Sequence, residues 1–223
     1  MSQLFTIFVT HLYLIMSISI AKQLEHKINK SPKGQVFFIS DFYRLGPDTA
    51  IRQALQRLTK KEVLMRLANG IYYYPRQDTV LGIVLPTAEQ IAQAIAQRDK
   101  ARIIPTGSYA LYKLGLSTQI PMNVVYLTDG SARKIVVGNQ KISFKKTSPK
   151  NLAVTHLLSN LIIQGLKALD QKKITEEIVQ KIKTIILKSG EQGLIKENLK
   201  YAPARIRNLV LLILYQIENG ELA

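Results

Sequence analysis

The side chains best suited to binding chemistry are concentrated in one short stretch, from Thr49 to Lys61. This stretch contains Arg, Gln, Thr and Lys but no Asp or Glu. Arg and Gln bond base edges in the major groove of DNA, and Arg, Lys and Thr bond phosphate oxygens. A merely solvated helix face more often mixes Glu with Lys, so the pattern favours contact with DNA. Together with two residues of the following segment, the candidate DNA-binding residues are Thr49, Arg52, Gln53, Gln56, Arg57, Lys60, Lys61, Arg66 and Asn69.

A single helix must present these side chains on one side. Ile51, Ala54, Leu55 and Leu58 recur at the spacing of one helix face, which predicts a helix from about Asp48 to Lys60. The candidate residues lie off this apolar stripe and are therefore expected to face solvent.

The flanking elements predict a winged helix-turn-helix domain over residues 17–78. Asn69-Gly70 is a strong hairpin signal and predicts a type I′ turn, which needs positive φ at both residues. In this arrangement the third helix enters the major groove, and Arg66 on the hairpin, or wing, reaches a phosphate. The alternative is a small α+β core whose polar helix face is only solvated. The other predicted elements are a helix over 17–30, a strand over 35–39, a short helix over 41–45, and strands over 63–67 and 71–74.

Three segments of this region resemble the N-terminal domain of AbiEi-type antitoxins, the antitoxin members of type IV, abortive-infection toxin–antitoxin pairs. They are Gly34–Phe42, Ala50–Leu58 and Val63–Pro75, the last ending in the pattern R-L-x-x-G-x-Y-x-x-P. The resemblance covers roughly residues 17–150. It implies a winged-helix repressor that binds inverted repeats in its own promoter, and a second domain that counters a nucleotidyltransferase-like toxin.

The net charge agrees with a polyanionic partner. The 223 residues include 31 Lys and Arg against 15 Asp and Glu, a formal net charge of +16. Nucleic acid is the first candidate for such an excess and an anionic membrane surface the second. A basic protein without such a partner is the remaining alternative.

The middle region, residues 79–150, is predicted to be a small α+β domain with a three-stranded antiparallel meander. Its strands are expected over 123–128, 133–137 and 141–147. The segment Gly107–Leu111 and the strand that ends before Asp129-Gly130 resemble the antitoxin domain of the same family. A secondary basic surface is expected on this meander, formed by Arg133, Lys134, Lys141, Lys145, Lys146 and Lys150.

Three roles for this secondary basic surface remain open. It could contact the DNA backbone, which gives affinity without sequence preference. It could instead dock an acidic surface of the toxin. The third possibility is that the lysines only protect an edge strand from aggregation, although that purpose needs fewer of them.

The two ends of the chain contain long apolar runs, and residues 1–21 carry no Lys, Arg, Asp or Glu. Residues 151–223 are predicted to form a helical bundle, and the run Leu209–Leu214 is either its centre or part of an oligomer interface. Residues 1–16 are interpreted as an apolar extension ahead of a start at Met16. A membrane-spanning helix and a signal peptide that ends near Ala21 are the alternatives.

Enzyme chemistry is not expected. The chain has no Cys and three His, His11, His26 and His156, which are scattered along the sequence. Thiolate metal sites, disulfides and a Cys nucleophile are therefore excluded, and no phosphate-binding loop or nucleophile-elbow motif is present. We expect no catalytic residues, no metal and no cofactor.

The sequence thus predicts a cytoplasmic, non-enzymatic repressor and antitoxin with double-stranded DNA of its own promoter as partner. A module that binds protein through its winged helix, and a membrane-associated basic protein, are the alternatives. The operator sequence, the toxin and the oligomeric state do not follow from the sequence.

Overall fold

A computed structural model describes residues 19–220 of the chain. It divides into two compact units, the first ending at Ile91 and the second beginning at Ala92. Both mix helices with small sheets, which confirms the predicted α+β class. The predicted extension over residues 1–16 lies outside the described residues. Within 19–220, none of the helices combines the length and apolar character needed to cross a membrane.

The first unit has the element order of a winged helix-turn-helix. Its Ser19 hydroxyl accepts a hydrogen bond from the backbone N–H of Lys22 at 3.4 Å and caps the first helix. The elements are helix α1 (Ile20–Asn29), strand β1 (Val36–Phe38), a 3-10 helix (Ile39–Leu45), helix α2 (Asp48–Lys60) and strands β2 (Met65–Ala68) and β3 (Ile71–Tyr73).

The apolar stripe of α2 packs into the core of this unit, as its spacing predicts. Ile51, Ala54, Leu55 and Leu58 are all buried. They join side chains from α1, the 3-10 helix and the sheet, chiefly Leu24, Ile28, Phe37, Phe42, Leu64 and Tyr72. Burying one such aliphatic side chain stabilises the fold by about 1.5–3 kcal/mol, so this packing holds α2 in place.

Gly46 makes the tight connection between the 3-10 helix and α2. Its φ is +156°, and a Cβ atom at this position would collide with Cδ1 of Ile20 on α1. The positive φ, which residues with a Cβ rarely adopt, therefore favours glycine at the turn of the helix-turn-helix, and the Ile20 side chain would have to shift for any larger residue.

The small sheet of the first unit places β3 between β1 and β2 in antiparallel pairing. The predicted type I′ turn is wrong, because Gly70 has φ +72° whereas Asn69 has no positive φ. A register shift between Arg66 and Ala68 shows that β2 carries a bulge instead. A bulge that adds twist beside a left-handed Gly is the usual alternative way to close such a hairpin.

A second hairpin, absent from the sequence prediction, follows the wing and crosses the predicted boundary at residue 78. It pairs β4 (Arg76–Asp78) with β5 (Gly82–Val84). The Tyr73 hydroxyl donates a 2.7 Å hydrogen bond to the carbonyl of Val84. Backbone N–H groups of Leu81 and Val80 donate to the Asp78 carboxylate in the turn and lower its pKa.

The second unit contains a four-stranded sheet, and its strand order overturns the predicted antiparallel meander. The order is β6-β7-β9-β8, with β7 and β9 parallel and the other pairs antiparallel. Burial explains the order, because Ile142 and Phe144 of β9 are fully enclosed and the Phe144 ring stacks 5.9 Å from that of Tyr126 on β7. The strands are β6 (Ile103–Thr106), β7 (Asn123–Thr128), β8 (Arg133–Val137) and β9 (Gln140–Lys146).

Helices before and after this sheet complete the second unit. Their bounds are α3 (Ala88–Asp99, entered from the first unit), α4 (Ser108–Lys113), α5 (Leu157–Ala168), α6 (Glu176–Ser189), α7 (Gln192–Asn198) and α8 (Ala204–Glu218). Three further 3-10 segments are Pro149–Leu152, Gln171–Lys173 and Leu199–Tyr201.

One apolar core spans the predicted boundary between residues 150 and 151. Ala110 and Leu114 of α4 belong to the same cluster as Leu166 of α5. In the run Leu209–Leu214, the side chains of Val210, Ile213 and Leu214 are buried in that cluster, whereas Leu212 is 56% exposed. The run therefore contributes one face to the helical core, and its role as an oligomer interface stays a prediction.

Candidate nucleic-acid interface

Helix α2 projects its polar residues away from the core of the first unit. Every predicted residue from Thr49 to Lys61 is exposed, and so are Arg66 and Asn69 on the wing. At about 100° per residue, Thr49, Gln53, Gln56 and Lys60 project opposite the buried stripe. The side chains that could bond DNA are thus free of the protein's own core.

A surface groove of about 420 Å³ joins α2 to the wing. It brings together five of the predicted residues from two separate elements. Its lining consists of Arg52, Gln56, Thr59, Lys60, Arg66, Asn69 and Tyr72. We call this the helix–wing groove.

Two residues of the helix–wing groove were not predicted from the sequence. The Thr59 hydroxyl donates a 2.9 Å hydrogen bond to the Leu55 carbonyl of its own helix, and Tyr72 is only 6% exposed. Both residues therefore form the base of the groove and stabilise the fold. Tyr72 is the register partner of Arg66 across the hairpin. This pairing is the signal that could have found it, once the correct register of β2 and β3 is known.

The remaining predicted residues lie outside this groove. Arg57 and Lys61 line a separate concavity against α1, together with Lys22 and Glu25. Lys60 borders both concavities. Arg57 and Lys61 therefore lie on the side of α2 that faces α1, away from the helix–wing groove.

Arg52 is held by an ion pair that the sequence analysis did not anticipate. Its Nε lies 2.5 Å from Oδ2 of Asp48, one helical turn earlier, and both side chains are about half exposed. This hydrogen bond, with the Asp48 charge, raises the pKa of Arg52. Because the contact uses Nε, the terminal amino groups of the guanidinium stay available for another acceptor.

The wing carries a comparable contact. Nη2 of Arg66 donates a 3.2 Å hydrogen bond to Oδ1 of Asn69 at the tip of the hairpin. Both residues are exposed. The contact restrains the long Arg66 side chain beside the groove.

The structure separates the predicted secondary basic surface into different environments. Arg133 is half-buried, forms an ion pair with Asp99 of α3 and lies over the Phe144 ring at 5.9 Å. Lys146 and Lys150 are exposed beyond the core of the sheet. By strand register, Lys134, Lys141 and Lys145 share the opposite sheet face from Arg133.

Protection of an edge strand does not account for these lysines. Strand β9, which carries Lys141 and Lys145, lies between β7 and β8 and is an interior strand. Only Lys134, on β8, belongs to a strand at the edge of the sheet. The prediction that lysines guard an edge is therefore wrong for β9.

Carboxylates in the second unit have structural partners. Burial raises the pKa of Asp99, but Arg98 and Arg133 outweigh burial, so the pKa lies below its usual value. Asp129 accepts from Nε of Arg102 at 2.9 Å and from its backbone N–H at 2.8 Å, which lowers its pKa. Within residues 19–220, no three His, Cys, Asp or Glu side chains are grouped to hold a metal ion.

Fold and site together define a winged helix-turn-helix unit with a polar helix–wing groove, followed by a second α+β unit. The chain belongs to a family of unknown function, DUF6088, whose model matches residues 23–194. The match begins within α1 and ends within α7, so it includes the whole helix–wing groove. No curated protein matches the chain.

Proposed function

We propose that this protein is a DNA-binding transcription regulator that binds its own promoter through α2 and the wing. The observation that supports this most directly is the helix–wing groove. There Arg52, Gln56 and Lys60 of one helix meet Arg66 and Asn69 of the hairpin, and all five side chains are exposed.

The residue types suit the two kinds of contact that such a regulator needs. An α-helix fits the major groove, where Arg bonds guanine and Gln bonds adenine in bidentate fashion. Arg66 and the flanking Arg57 and Lys61 are suited to phosphates, which fix the register of the protein on the duplex. Side chains suited to base contacts and side chains suited to phosphate contacts thus lie on neighbouring elements of the first unit.

The same proposal includes an antitoxin role in the cytoplasm. It is supported by the resemblance of Gly34–Phe42, Ala50–Leu58 and Val63–Pro75 to AbiEi-type antitoxins. On this proposal the partner is a nucleotidyltransferase-like toxin made from a neighbouring gene. Co-expression tests it, since the full chain should restore growth of cells that express that toxin.

Promoter binding is tested with the full chain and two duplexes of equal length, its own upstream region and a shuffled sequence. We expect the upstream region to bind at least about 10³-fold more tightly, as specific sites do at physiological salt. Equal affinity for the two duplexes would refute the regulator. If promoter binding is absent while a neighbouring gene product co-purifies in high salt, the winged helix is a protein-binding module.

A further inference from the structure

A group of lysines on the sheet of the second unit has no role in the helix–wing groove. Lys134 pairs directly with Ser143, and Lys141 and Lys145 lie two residues to either side of Ser143 on β9. All three lysines therefore project from one face, with Lys134 about 7–8 Å from each of the other two by strand geometry. We call this the lysine face.

Among the strand residues that share the lysine face, none carries a negative charge. In the four strands of the described sheet, its other positions are Asn123, Val125, Leu127, Ile104, Thr106, Val136 and Ser143. The three lysines are exposed, and Val136 between them is 58% exposed. No ion pair to these lysines occurs among residues 19–220.

This arrangement costs stability and is not needed by the sheet. Like charges within a Debye length of about 8–10 Å repel one another. Edge protection does not apply to β9, which is an interior strand. Two of the three lysines lie on this interior strand, so a polyanionic ligand explains the unpaired cluster better than edge protection does.

The kind of polyanion follows from the residue types. Protein–protein interfaces are depleted in Lys and enriched in aromatic residues and Arg, whereas Lys binds phosphate as a point charge. The lysine face has Lys without Arg and without aromatic side chains. The one amide side chain on these strand positions is Asn123, and its Oδ1 already accepts a 3.1 Å hydrogen bond from the Ser143 hydroxyl, so it does not offer the free donor–acceptor pair that distinguishes adenine.

We propose that the lysine face binds the sugar-phosphate backbone of nucleic acid without sequence preference. This function differs from that of the helix–wing groove, because it adds affinity for every sequence equally. It does not depend on operator recognition, since binding to a shuffled duplex is its readout.

The test is the full chain with Lys134→Gln, Lys141→Gln and Lys145→Gln combined. Affinity for the shuffled duplex is measured as a function of salt concentration. Each lost phosphate contact makes the log–log slope shallower by about 0.9, so three give a change of up to about 2.7. Between about 50 and 200 mM salt, the wild type should then lose up to about 40-fold more affinity than the variant.

A matched control separates the effect of losing the lysine face from the effect of lowering the net charge of the protein. Lys172→Gln, Lys188→Gln and Lys200→Gln remove the same charge from exposed positions outside the sheet. The control should keep a slope within about one contact of the wild type. Equal slopes for the two triple variants would overturn the proposal. A slope equal to that of the wild type in the lysine-face variant would also overturn it. If that variant at the same time lost binding to an acidic protein, the lysine face would be a protein-binding surface instead.

Folding of the lysine-face variant is checked by thermal unfolding. Because the replaced side chains are exposed and repel one another, Tm should stay unchanged or rise slightly. The ratio of promoter to shuffled-duplex affinity should also stay constant. Loss of that ratio with an unchanged slope would assign the lysines to sequence recognition and contradict the proposal.

Discussion

The helix–wing groove and the lysine face are both basic and exposed, but they differ in what they can recognise. The groove combines Arg, Gln, Lys and Asn from α2 and the hairpin. The lysine face presents three lysines from two strands. Only the first set has planar donor–acceptor groups that match base edges, so it can select a sequence, whereas the second can only add charge.

The two surfaces also differ in how firmly their side chains are held. Arg52 bonds Asp48 and Arg66 bonds Asn69, so both guanidinium groups are oriented before any ligand arrives. The three lysines of the lysine face form no ion pair among residues 19–220. Pre-oriented side chains lose less entropy on binding, which favours the groove as the selective surface.

The largest effect is expected for Arg52→Ala combined with Gln56→Ala. Each bidentate base contact contributes about 1–3 kcal/mol of discrimination, so promoter preference should fall by on the order of 10²–10⁴-fold. Competition between promoter and shuffled duplexes measures this. Arg207→Ala with Asn208→Ala, exposed on α8, is the matched control and should keep full preference. Unchanged preference in the groove variant would remove the distinction between the two surfaces.

Arg66→Ala should have a smaller and different effect. If this side chain bonds a phosphate, both duplexes lose affinity by the same factor and the salt slope becomes shallower by about 0.9. Arg66→Lys keeps the charge and should restore the slope, although it loses the bond to Asn69. A fall in promoter preference with an unchanged slope would instead place Arg66 on a base.

Asp48→Asn is expected to change binding only a few-fold, in two opposite directions. Removing a negative charge near the duplex should raise affinity for the shuffled sequence. Weakening the contact that orients Arg52 should lower promoter preference. Titrations of both duplexes separate the two effects, and a gain for both by one common factor would show that Asp48 does not position Arg52.

The smallest effect on DNA binding is expected for Asp99→Asn. Asp99 forms an ion pair with Arg133, and Arg133 lies on the sheet face opposite the lysine face. The pKa of Asp99 is lowered in the folded state, so its contribution to stability is present above its unfolded pKa of about 3.9 and is lost as pH falls further. The variant should therefore have a lower Tm at pH 7, and the difference should shrink toward pH 3. A steeper salt slope for DNA would show that Arg133 joins the binding surface once released.

Local patterns were sufficient to predict the part of the fold that carries the helix–wing groove. The spacing of Ile51, Ala54, Leu55 and Leu58 determines which side of α2 is buried, and the exposed polar residues follow from it. The Asp48–Arg52 ion pair also obeys a local rule, since residues four apart share a helix face. It was missed because Asp48 lies just before the acid-free stretch.

The sheet of the second unit shows where local patterns end. Alternation along residues 141–147 predicts a strand, but it does not say which other strand pairs with this one or whether the pairing is parallel or antiparallel. The parallel pairing of β7 with β9 brings Tyr126 beside Phe144, a contact between residues of different strands that alternation along one strand does not predict. The β4–β5 hairpin was missed for a different reason, because its strands are three residues long and follow Pro75.

Gly46 gives the turn between the 3-10 helix and α2 a further significance. Ile20 on α1 occupies the space that any side chain at residue 46 would need. Because the close atom is the far end of a flexible side chain, a residue with a Cβ at this position would displace Ile20, whereas the positive φ of residue 46 would stay unfavourable for it. The entry of the chain into α2 thus depends on a backbone conformation that glycine adopts without strain.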